Sequence, residues 1–145
     1  MKKTLPVILS VFIGMTAYAK APLPPDRTIF SCTIKGKQLT IHRHGSDYIY
    51  SFGRKGHKPE LTFRNPRKEV AARSGNSDKD HSFRMWGETR MKNGNYEYSI
   101  MWFINKELDV VHRLKITHGD HQYLDEVDCD KRYPVISNTD WEFMI

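Results

Sequence analysis

Seven histidines in a chain of 145 residues raise metal ligation first. His42 and His44 stand two apart, a spacing that puts both on one face of a strand, and His118 and His121 flank a tight turn beside Asp120. A closed zinc site needs four ligands and groups that orient them. Nothing in the spacing brings the two pairs together, so no metal and no cofactor are expected. His112, set among Leu108, Val110, Leu114 and Ile116, reads as a hydrogen-bonded core histidine. Nucleophilic catalysis would need a serine or cysteine on a strained turn beside a base and an orienting acid. No GxSxG occurs, and Arg73-Ser74-Gly75 alone does not make such a site. Asp125, Glu126 and Asp128 supply carboxylates on one short stretch, yet such a run is sufficiently explained as a solvated acidic face. The chain is therefore not expected to be an enzyme.

Its chemistry is that of recognition. From Arg54 to Arg73 seven basic residues (Arg54, Lys55, Lys58, Arg64, Arg67, Lys68 and Arg73) stand against Glu60 and Glu69 alone. Between Gly119 and Asp130 the sign reverses, with five acidic residues and no basic one. Either patch could steer a partner. Tyr48, Tyr50, Phe52, Arg54 and Lys55 have the aromatic-basic mixture of a nucleic-acid surface, but the compartment argues against that partner.

The compartment follows from the first residues. Met1-Lys2-Lys3, the apolar stretch Leu5 to Thr16 and Ala17-Tyr18-Ala19 are the three regions of a secretory signal in order, with cleavage expected after Ala19. Lys20 and Pro22-Leu23-Pro24-Pro25 cut the apolar stretch too short for a membrane anchor. Residues 1–19 are read as a signal peptide and 20–145 as one β domain with an irregular tail over 131–145, located in the periplasm. Removal of Lys2 and Lys3 leaves 21 basic against 17 acidic residues, a net charge of +4. In an oxidising compartment Cys32 and Cys129 are expected to pair, closing a long loop worth up to about 4.7 kcal/mol in the chain-entropy account.

The elements that must position these residues have period two. Thr28 to Ile34, Gln38 to His42, Tyr48 to Phe52 and Leu61 to Phe63 form a first run of strands, punctuated by Lys35-Gly36-Lys37 and Gly45-Ser46. A second run starts at Phe83 and passes a type I′ hairpin turn at Asn93-Gly94. Tyr96, Tyr98, Ile100, Trp102 and Ile104 then share one face of a long strand, with Trp102 expected in the core. Leu108 to Ile116 and Tyr123 to Cys129 complete the set. About eight strands predict an all-β fold, an antiparallel eight-stranded barrel or a sandwich, in which the disulfide ties the first strand to the last. Arg64 to Asp80 is expected as a long irregular loop between the two runs. Its Arg64, Arg67, Lys68, Arg73 and Ser74 are the expected partner-binding residues, because arginine holds carboxylates through two hydrogen bonds. The tail residues Tyr133, Pro134, Trp141, Phe143, Met144 and Ile145 are too apolar for an inert terminus and are expected to pack back or to meet a partner.

In architecture the chain resembles small periplasmic inhibitor and immunity proteins. Ser74-Gly75 is similar to part of the serine- and glycine-containing loop by which C-type lysozyme inhibitors enter their target's cleft, although the rest of that motif has no counterpart here. Animal lysozymes are strongly basic, so a +4 domain is repelled at long range unless its acidic patch makes the contact. Bacteriocin immunity proteins, such as those against pesticin-type muramidases, carry no such constraint. The resemblance implies a protein that binds and neutralises an envelope-targeting protein toxin, a lysozyme-like, peptidoglycan-degrading one first among them. The compartment and the lack of another long apolar stretch lead to the expectation of no nucleic acid and no stable membrane insertion after signal cleavage. The alternative is a periplasmic module that binds an envelope polyanion or a metal without inhibiting anything.

Overall fold

Tight turns set the register. In the computed structural model, which describes residues 27–76, 83–120 and 122–137, β1 (Arg27–Ile34) and β2 (Lys37–His44) meet through Lys35-Gly36. Both turn residues have positive φ, 48° and 75°, as a two-residue type I′ hairpin requires. Ile34 then lies opposite Lys37 and Cys32 opposite Leu39, so the buried residues of the two strands fall on one face. Gly45 opens the next turn at φ 60° and leads into β3 (Asp47–Gly53). Gly53 ends that strand where no side chain fits, since a Cβ would lie 2.9 Å from the Glu60 backbone nitrogen. The chain returns as β4 (Leu61–Pro66), and a 3-10 turn, Arg67–Glu69, crosses to β5 (Ala71–Asn76).

The second half repeats the scheme with longer strands: β6 (Phe83–Asn93), β7 (Tyr96–Asn105), β8 (Val110–His118) and β9 (Gln122–Asp128). The expected hairpin after β6 forms, but its central pair is Gly94-Asn95 and only Gly94 has positive φ, 59°. Glycine in first place is the type II′ choice, so the turn sits one residue later than a type I′ Asn-Gly turn would. A two-residue strand, β10 (Ile136–Ser137), then returns to pair with β1 at Phe30 and Ser31.

The result is two five-stranded antiparallel sheets, β10-β1-β2-β3-β4 and β5-β6-β7-β8-β9. They face each other as a sandwich and do not close into a barrel, which corrects the eight-stranded barrel. The described residues form ten strands, because β5 and β10 were not expected. Part of the expected irregular tail, residues 131–137, includes β10. The expected signal peptide, the histidine His121 and the tail residues Trp141, Phe143, Met144 and Ile145 lie outside the described residues.

Between the sheets Ile34, Leu39, Ile41 and Tyr50 from one side meet Met91, Tyr98, Ile100 and Leu114 from the other. Tyr50 stacks on Phe63 at 4.6 Å, and Tyr98 is tilted against both rings. Burial raises the pKa of the Tyr50 phenol. Of the expected core face of β7, Tyr98 and Ile100 are buried, Ile104 is half-buried and Tyr96 is exposed. Trp102 is also only half-buried and lies across Gly87, whose missing side chain leaves room for the indole. Its place in the central core is thus corrected: the facing sheet covers the middle of β7 and not its far end.

Cys32 and Cys129 are bonded, with their Cα atoms 5.8 Å apart. Cys32 is in β1, one strand in from the sheet edge, so the bond joins sheet to sheet and not edge to edge. The chain crosses at this point. The Cys129 amide donates to His112 O in β8 at 2.8 Å, and the next amide, Asp130, donates to Thr33 O in β1 at 2.7 Å.

Candidate functional site

The residues expected to bind a partner do not sit on a long loop. Arg64 is in β4, Arg67 and Lys68 form the 3-10 turn, and Arg73 and Ser74 are in β5; residues 77–80 of the expected loop lie outside the described residues. Arg64, Arg67 and Lys68 gather at the corner where the chain passes from one sheet to the other. All three are exposed.

Hydrogen bonds hold this corner in place. The Arg67 amide donates to Ser46 O at 2.9 Å and the Val70 amide to Arg67 O at 3.1 Å. Asn65, buried beneath, donates through Nδ2 to Arg64 O at 2.9 Å and to Lys92 O at 2.8 Å. Its Oδ1 accepts from the Lys92 amide at 2.7 Å. One side chain thereby satisfies both backbone groups of a residue in the other sheet, and β4 is pinned to β6 directly under the basic turn.

Two further arginines belong to the corner. Arg27 and Arg43 are register partners in β1 and β2. Together with Arg67 they lie close enough to the Tyr48 hydroxyl to oppose the rise in its pKa that burial causes, Arg43 most strongly. Arg43 is buried, and its Nε donates to Gly45 O at 3.3 Å. The neighbouring acid, Asp47, is held by Arg64 at 3.4 Å. Arg27, Arg43, Arg64, Arg67 and Lys68 thus concentrate positive charge at one end of the first sheet. The sequence reading missed Arg27 and Arg43 as site residues. The Lys35-Gly36 turn alone does not signal it, because counting outward from that turn sets Arg27 opposite His44; an irregularity between Thr28 and Phe30 shifts the register by one and brings Arg27 opposite Arg43.

Arg73 and Ser74 do not join this cluster. Consecutive strand residues point to opposite faces, and the register sets Arg73 opposite Glu88 and Ser74 opposite Gly87. Arg73 Nε donates to Glu88 Oε2 at 2.5 Å, and its guanidinium lies 5.5 Å from the Trp86 ring centre. The carboxylate it covers is only 5% exposed although it is on the outer face of the sheet. Beside it Arg113 is clamped by Glu126 and Asp128, each at 2.5 Å, and lies over Phe103 at 4.9 Å. This second face is a grid of paired charges and covered rings. Much of the acidic run is therefore matched by arginine. Asp130 is likewise matched, as Arg132 bonds hold its carboxyl down to about 2.

His42 and His44 are exposed on β2, and His42 Nδ1 lies 3.1 Å from the Thr28 hydroxyl. Among the described residues no three potential metal ligands come together. His112 is half-buried, its ring 5.9 Å from that of Phe30, and burial lowers its pKa. It borders an open pit of about 330 Å³ with Val110, Cys129, Lys131, Tyr133 and Val135. No protein family, curated protein or solved structure matches the chain.

Proposed function

We propose that the chain is an immunity or inhibitor protein, exported to the periplasm through its first 19 residues, that binds and neutralises an envelope-targeting toxin. The favoured target is a peptidoglycan-degrading, lysozyme-like bacteriocin. The observation that supports this reading is the basic corner: Arg64, Arg67 and Lys68 are carried on backbone that Asn65 locks to the opposite sheet. A rigid display of arginines loses little freedom on meeting carboxylates, as protein recognition demands. A buried disulfide fits a molecule that works outside the cytoplasm.

The convergence of Arg27, Arg43 and Arg67 also suits the second reading, a module that holds an envelope polyanion such as lipopolysaccharide. One experiment separates the two. The protein is expressed in strains sensitive to periplasmic killing, and protection is scored for the parent and for Arg67→Glu/Lys68→Glu. Protection that the double variant loses, with its thermal transition in place, supports immunity through this corner. Absence of protection by the parent against every muramidase toxin, with lipopolysaccharide binding that the same variant abolishes, supports the polyanion module instead.

A further inference from the structure

The far end of the second sheet carries a different kind of surface. Asn105 to Asp109 form the turn between β7 and β8, closed by three hydrogen bonds: Leu108 amide to Asn105 O at 3.1 Å, Asn105 amide to Asp109 O at 3.0 Å, and Asp109 amide to Asn105 Oδ1 at 2.8 Å. Leu108 is held at φ 68°, a left-handed conformation that bulky side chains avoid, and it is 64% exposed. Val110, beside it, is 54% exposed. A rigid turn thus presents a leucine to water at a conformational cost. Directly next to this projection lies the pit bordered by Val110, His112, Cys129, Tyr133 and Val135, with Asp109 and Lys131 adding polar wall, and it is roomier than one leucine side chain. On its rim Lys131 Nζ is 3.7 Å from Asp109 Oδ2, both side chains mostly in solvent.

We propose that this end of the sandwich is a homodimer interface, in which Leu108 of each copy enters the pit of the other about a two-fold axis. A knob and a hole side by side on one patch are self-complementary under such an axis, the condition for an isologous contact that closes at two. The rim obeys the same symmetry. Each copy offers one acid and one base, so Asp109 of one meets Lys131 of the other and the reverse contact follows. The basic corner stays clear, because β7 alone separates it from this turn by nine residue steps, about 30 Å at strand spacing. The inference does not rest on the proposed function.

Sedimentation equilibrium of the oxidised mature protein over a wide concentration range tests it. A concentration-dependent dimer is expected, and a monomer throughout overturns the proposal. Leu108→Asp keeps the fold, since aspartate tolerates left-handed φ, and is expected to raise the dissociation constant at least about tenfold with an unfolding midpoint no lower than the parent's. Asp109→Lys sets lysine against lysine and is expected to give monomers. Asp109→Lys/Lys131→Asp restores opposite charges across the axis and is expected to restore the dimer. Leu108→Asp or Asp109→Lys proteins that dimerise as the parent does, or a double variant that stays monomeric, overturn the arrangement.

Discussion

At the scale of single residues, what the molecule asks of an aromatic ring depends on where the facing sheet ends. Tyr50 is 1% exposed and lies between Phe63 and Tyr98, whereas Trp102 spreads over Gly87 with part of its surface in water. Tyr50→Ala is therefore expected to cost about 3–5 kcal/mol, as truncation of a buried ring does. Trp102→Ala is expected to cost under about 2 kcal/mol, the range of a partly exposed site with no buried partner left behind. Urea midpoints of the two variants check the order, and a larger loss for Trp102 would place the centre of the core further along β7. Period two made the shared face of Tyr96, Tyr98, Ile100, Trp102 and Ile104 legible in the chain. How far along that face burial extends was not, because it depends on the length of strands in the other sheet.

At the scale of elements, strands that carry their own instructions were readable and strands that borrow them were not. β2, β3, β7 and β8 alternate apolar and polar residues between short turns, and the structure places them within two residues of expectation. β5 is Ala-Ala-Arg-Ser-Gly-Asn, with no β-branched residue and no aromatic one. Its extended form comes from β6, where Glu88 holds Arg73 and the Trp86 ring lies over Gly75. β10 is likewise completed by the edge of β1. The basic corner was half legible for the same reason: Arg64, Arg67 and Lys68 are neighbours in sequence, whereas Arg27 and Arg43 arrive by pairing. Asn65, which no motif marks, fastens the corner. Asn65→Ala leaves the part-buried amide and carbonyl of Lys92 without their side-chain partner and is expected to cost about 1–3 kcal/mol. Hydrogen exchange at Lys92 should accelerate in that variant, and unchanged exchange would show that the clamp is not what protects it.

At the scale of the whole molecule, each sheet is a nearly unbroken meander, β1 to β4 and then β5 to β9, with only β10 returning. The chain passes between them once at Arg67–Glu69 and once more where Cys129 and Asp130 bridge β8 to β1. Every strand pairing except that of β1 with β10 joins consecutive strands, which favours folding faster than an interleaved sandwich of the same size. The first crossing is also an exposed turn with two trypsin sites, Arg67 and Lys68. The two bonded cysteines flank that turn in sequence, one in residues 27–66 and the other in 71–137. A single nick there would cut the chain without parting it. Each piece keeps the strands of its own meander, and the pieces remain covalently joined. Limited trypsin treatment is expected to leave one band without reductant and two with it, and separation without reductant would mean cleavage elsewhere or an open bond. Backbone continuity at the corner is thus dispensable for holding the halves together, so the protein survives proteolytic scission at the very place where we propose that its arginines meet a partner.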